Sequence, residues 1–190
     1  MPGQLQARTC APPESSSPQA RFPMSVSLPR IAGGPLVDAT PAEVAMASIW
    51  GELLRAGVEY PRPWASPEEG AMLLREEIDE LWDEVRGNTV TAARAEAVQV
   101  GAMGLRFVCD LASTSPIRAW MTAWSHYDTV GPARLLSTTH EAFGFLQREY
   151  DALWAAPAAA EAPMRATGVT VMAARLIAEV LTPPAPKVAR

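Results

Sequence analysis

Cysteine and lysine are both scarce in this 190-residue chain. The two cysteines, Cys10 in a Pro/Ser-rich stretch and Cys109 in an apolar one, make no disulfide framework. With no CxxC and no Cys/His cluster, the sequence argues against a zinc site and for a reducing, cytoplasmic setting. Lys187 is the single lysine, and 16 basic against 21 acidic residues leave a net charge of -5. No basic cluster exists to hold a phosphate backbone or an anionic lipid surface, so neither nucleic acid nor membrane is an expected partner. No apolar run reaches the length of about 18 residues that a transmembrane helix needs. The N-terminus has no continuous apolar stretch of the kind a secretory signal carries. What is present is a 48% hydrophobic content against 19% charge, enough for a sizeable buried core.

Residues 1–39 carry seven prolines and the run Ser15-Ser16-Ser17, which predicts a disordered arm, with Met24 as an alternative start. From Thr40 the chain reads as about six helices. Thr40-Pro41 with Glu43, and Ser66-Pro67 with Glu69, are capping boxes with proline at the first helical position. They open helices expected to end near Arg55 and Val85, the second stopped by Gly87-Asn88. Further helices are expected from Ala92 to Leu111, from Pro116 to before Gly131-Pro132, from His140 to Ala155 and from Met164 to Leu181. A tail of residues 183–190 follows. No segment alternates with a period of two, so the fold class is all-α, a helical bundle.

The second and fifth helices match each other. A shift of 72 pairs Glu69, Leu74, Glu77, Asp79, Leu81 and Trp82 with Glu141, Leu146, Glu149, Asp151, Leu153 and Trp154, six identities in fourteen positions. A shift of 71 then pairs Val98, Val100, Ala102 and Leu105 with Val169, Val171, Ala173 and Leu176. The pattern predicts a tandem duplication, with units at residues 40–112 and 113–182.

In the second helix Leu74, Ile78, Leu81 and Val85 form one apolar face. Glu77, Glu80 and Glu84 run beside it, with Glu76 one position round. Such a strip is usually a solvated face. The third helix changes the balance, because it is apolar nearly all round and therefore buried. Its polar line, Glu96, Gln99, Arg106 and Asp110, needs partners there. Set against Glu77 and Glu80, it would gather oxygens suited to a hard cation, Mg²⁺ or Mn²⁺.

At these residues the chain resembles the all-α nucleoside triphosphate pyrophosphohydrolases, the MazG-like superfamily, whose motif is EExxE followed by ExxD on the next helix. The first part is complete as Glu76-Glu77-Ile78-Asp79-Glu80. The second is Glu96-Ala97-Val98-Gln99, with glutamine where the family has aspartate. The resemblance implies Mg²⁺-dependent attack of water between the α and β phosphates of a nucleoside triphosphate, giving a monophosphate and pyrophosphate. It implies Glu77, Glu80 and Glu96 as metal ligands and Glu76 as a catalytic residue that orients water or binds a second ion. Gln99 falls at the metal's edge with one charge fewer. The same likeness makes the second repeat a degenerate copy, with Thr167 and Thr170 at the Glu and Asp positions, and the chain a monomeric pseudo-dimer or a homodimer. The alternative is a catalytically degenerate MazG-like binding or scaffold protein.

Two more residues are candidates for substrate binding. Arg106 is placed to meet a phosphate, although an arginine on a buried strip more often pairs with a neighbouring acid such as Asp110. Trp64 is placed to stack on a base, although anchoring its own loop is the commoner role. Trp50, Trp82, Trp120, Trp124 and Trp154 are expected in the core. His126 and His140 are isolated, and no Ser/His/Asp set or glycine-rich phosphate loop is visible.

Overall fold

The computed structural model describes residues 39–130 and 134–182, and among the described residues all regular structure is helical. The expected arm before Ala39, the Gly131-Pro132 break and the tail from residue 183 lie outside the described residues.

Thr40 caps α1 (Pro41–Glu59). Its hydroxyl accepts from the Glu43 N–H at 3.2 Å, and Glu43 Oε2 accepts from the Thr40 N–H at 2.7 Å. The box satisfies two donors that a helix start leaves bare. α1 runs a turn past the expected Arg55, because Ala56 and Gly57 are buried there and packing outweighs the poor propensity of glycine. Ser66 caps α2 (Pro67–Gly87), accepting from the Glu69 N–H at 3.2 Å. The second box is only half formed, since the Glu69 carboxylate reaches past Ser66 to the Ala65 N–H and to Arg62. Asn88, left-handed at φ 54°, ends α2. α3 (Val90–Leu111) follows at once, so α2 and α3 form a tight antiparallel pair. α4 (Pro116–Val130) is next. Thr138 caps α5 (Thr139–Ala155). α6 (Ala162–Arg175) continues into a π-helical turn, Leu176–Val180, closed by the Leu181 N–H on the Leu176 carbonyl at 3.0 Å.

α3 is the hub and touches α1, α2, α4 and α6. Val100, Leu105, Phe107 and Cys109 are all buried on it, so burial extends nearly all round the helix, as its apolar sequence predicts. Gly104 is required where α6 crosses: a Cβ there would lie 2.5 Å from Thr170 Oγ1 and 2.8 Å from the Ala166 carbonyl. Thr170 Oγ1 also donates to the Gly101 carbonyl at 3.0 Å, locking the crossing. Trp50 and Trp120 are buried edge to face, and Trp82 stacks on Phe143 between α2 and α5. Trp124 is half-buried against Trp120. Trp154 departs from expectation: it is 48% exposed. Leu153, one position before it, takes the inward direction of that turn instead.

The helix contacts follow a two-fold pattern. α1 and α2 pack on α3 as α4 and α5 pack on α6, α2 meets α5, and α3 meets α6. A buried clamp recurs as well. Arg106 Nε donates to Asp110 at 3.1 Å, and its Nη2 holds the Tyr60 and Arg62 carbonyls at 2.8 and 2.9 Å. The Trp64 N–H donates to the same Asp110 at 3.3 Å. Likewise Arg175 Nε donates to Glu179 at 2.7 Å, Arg175 Nη2 holds the Arg134 carbonyl, and the Leu136 N–H donates to Glu179 at 2.7 Å. The clamps fix the loops before α2 and before α5, at positions 72 apart in the two loops.

The clamps give α3 and α6 a spacing different from the expected shift of 71. They match Arg106 with Arg175 and Asp110 with Glu179, 69 apart rather than 71. By the clamp spacing Glu96 and Gln99 fall on Arg165 and Gly168, where the shift of 71 places them on Thr167 and Thr170. The shift of 71 matched apolar residues, which recur along any buried helix, whereas the clamp matches residues by what they hold.

Candidate metal centre

The turn at Asn88 sets the site. Glu80 and Glu96 are equally distant from it along the antiparallel pair, and so are Glu77 and Gln99. Residues equidistant from a tight turn lie at one height. One carboxylate oxygen from each of Glu77, Glu80 and Glu96 lies within 4.8 Å of the other two, so the structure brings together the three residues expected as ligands. Ile78 and Leu81, buried on the adjoining face of α2, fix which way that strip faces.

The electrostatics are those of crowded acid. Glu77 is half-buried, and its Oε2 is inaccessible and has no hydrogen-bond partner among the described residues. Burial first, then the neighbouring Glu80, Glu96, Glu52 and Glu76, push its carboxyl up to about 7. Glu96 is raised by burial and by Glu80 and Glu84, while a hydrogen bond from Gln99 opposes the rise. That bond runs from Gln99 Nε2 to Glu96 Oε2 at 2.6 Å. Gln99 thus lies beside the acids as expected, but its amide donates to a candidate ligand and steadies it. Glu76 is exposed at the edge and close enough to raise Glu77.

A cavity of about 610 Å³ opens beside the acids, bounded by α1, α2, α3 and the loop from Tyr60 to Trp64. Glu77, Gln99, Trp64 and Arg106 all reach its wall. Trp64 is buried, edge to face with Phe107, and the Arg106 guanidinium lies 5.2 Å from the Trp64 ring centre. The donors of Arg106 described above are taken up by the clamp, so it shapes the loop that forms the wall.

Glu52 on α1 was not singled out from the sequence. Its side chain is 18% exposed, it pairs with Arg55, and it lines the cavity beside Glu77. The available signal was an acid among Ile49, Trp50, Leu53 and Ala56, the buried face of α1.

Oxygen donors alone, three of them anionic and one buried oxygen unsatisfied, fit a hard divalent cation better than a soft one. Among the described residues no helix is long and apolar enough to cross a membrane. Comparison with protein-family models, with curated protein sequences and with solved structures finds no match to this chain.

Proposed function

We propose that this protein is a MazG-like nucleoside triphosphate pyrophosphohydrolase, a tandem duplication with one cation-dependent centre, acting in the cytoplasm as a pseudo-dimer in a single chain. The buried, unpartnered Oε2 of Glu77, set among the Glu80 and Glu96 carboxylates, carries this reading. An ionised oxygen in that position is costly unless a cation compensates it. Glu77, Glu80 and Glu96 would hold Mg²⁺ or Mn²⁺. Such an ion neutralises phosphate oxygens and lowers the pKa of a bound water.

The chain's own residues supply the rest. Gln99 holds the Glu96 carboxylate in place. Glu76, at the exposed edge, orients the attacking water or holds a second ion. Trp64 and the loop fixed by Arg106 form the wall against which the nucleoside rests. Water attacks at the α–β bridge: a new P–O bond forms as the bond to the bridging oxygen breaks, the water's proton passes to solvent, and the monophosphate and pyrophosphate leave.

Gln99 also favours a second reading. Its neutral amide engages an oxygen of Glu96, which fits a binding or scaffold protein whose chemistry has decayed. Common and modified nucleoside triphosphates, incubated with the protein and Mg²⁺ or Mn²⁺, separate the two. The enzyme releases pyrophosphate, and Glu80→Gln stops it. No release at high protein concentration decides for the scaffold.

A further inference from the structure

Glu149 stands where Glu77 stands, but in the second half it has a partner. Arg165 Nη1 donates to Glu149 Oε2 at 3.2 Å. By the register of the clamps, Arg165 takes the Glu96 position and Gly168 the Gln99 position. Gly168 leaves room for that carboxylate: a Cβ there would come within 2.7 Å of Glu149 Oε2. Arg148 and Ala152 replace Glu76 and Glu80.

We infer that Arg165 is a tethered cation. It supplies to Glu149 the neutralisation that a divalent ion supplies to Glu77, so the second half carries its own positive charge and takes up no metal. The comparison rests on the metal reading of the first half, whereas the Arg165–Glu149 contact stands without it. A guanidinium is charged at every ordinary pH, donates along fixed directions and offers no coordination position. A single carboxylate already bonded to it lacks both the charge and the free oxygens that a hard cation requires.

The test restores the lost acids. Ala152 and Arg165 are both exposed, so A152E/R165E replaces side chains that do not pack in the core. Far-UV circular dichroism checks that the variant is folded. Mn²⁺ binding is read by the loss of the free-ion electron paramagnetic resonance signal. The expected result is a single equivalent bound by the natural chain and by A152E, and a second equivalent bound by A152E/R165E. In the E80Q background the natural sequence binds none, and A152E/R165E still binds its own ion. A folded A152E/R165E that binds no more than the natural chain overturns the inference. So does a second equivalent bound by A152E alone, because Arg165 would then not stand in the ion's place. If the natural chain binds none and A152E/R165E gains one, the metal reading of Glu77 fails and the role of Arg165 stands.

Discussion

Glu77 and Glu149 sit at matching points of two three-helix halves with opposite surroundings. Glu77 is flanked by Glu76, Glu80 and Glu96 and carries a buried oxygen with no partner among the described residues. Glu149 is flanked by Arg148 and paired with Arg165. The loop clamps, by contrast, are nearly the same in both halves. The scaffold of the halves is alike and the charge placed on it differs. Framework and chemistry are therefore separable in this molecule, and mutations should separate them.

The largest expected effect falls on what the halves share. Arg106→Met leaves Asp110, 2% exposed, without its partner, and Arg175→Met does the same to Glu179, 10% exposed. Breaking a buried pair from one side costs about 3–5 kcal/mol. Denaturant unfolding should show a loss of that order for each, somewhat smaller for Arg175→Met because its pair is less buried. A large effect in one half and none in the other would break the likeness.

Next comes what the halves do not share. Glu77→Gln should lower pyrophosphate release by roughly 100-fold or more, since even groups behind metal ligands are worth 10- to 100-fold. Glu149→Gln, the same change in the other half, should leave release unchanged. Equal losses from both would place chemistry in the second half.

The smallest effect is a pH dependence. The folded-state pKa of Glu77, about 7, lies above its ordinary value of 4.5. The folded protein therefore binds this proton more tightly than the unfolded chain does. Without divalent ions, the contribution of Glu77 to stability is fully present below about pH 4.5 and is lost as pH rises through about 7. Melting temperatures without divalent ions should fall across that window, and Glu77→Gln should flatten the fall. Added Mn²⁺ should raise the melting temperature most above pH 7, where no proton competes for the carboxylate. Glu149→Gln should leave the slope as it is.

Much of the fold was legible because caps and apolar periods are local signals. Thr40 and Ser66 each cap the helix they announce. The triad was legible because Glu77 and Glu80 share one side of α2 and Glu96 is the first acid on the buried helix after it. Glu52 was not, because its place beside Glu77 depends on how α1 packs across α2 and α3. The clamps were legible only in part: the Arg106–Asp110 pair is a four-residue spacing that Arg175–Glu179 repeats, but the loop groups they hold lie more than 40 residues away along the chain and depend on packing. Trp154 was misplaced because a periodic pattern does not fix which of two adjacent apolar residues turns inward.

The order of turns, caps and apolar faces made this chain a set of helices with one acidic strip, and neighbouring residues alone were enough for that. Only the assembled bundle decided that Glu77 would lose its water while Glu149 would gain a guanidinium. Burial and the distance between charges on different helices belong to packing, and both govern what an ionised oxygen requires.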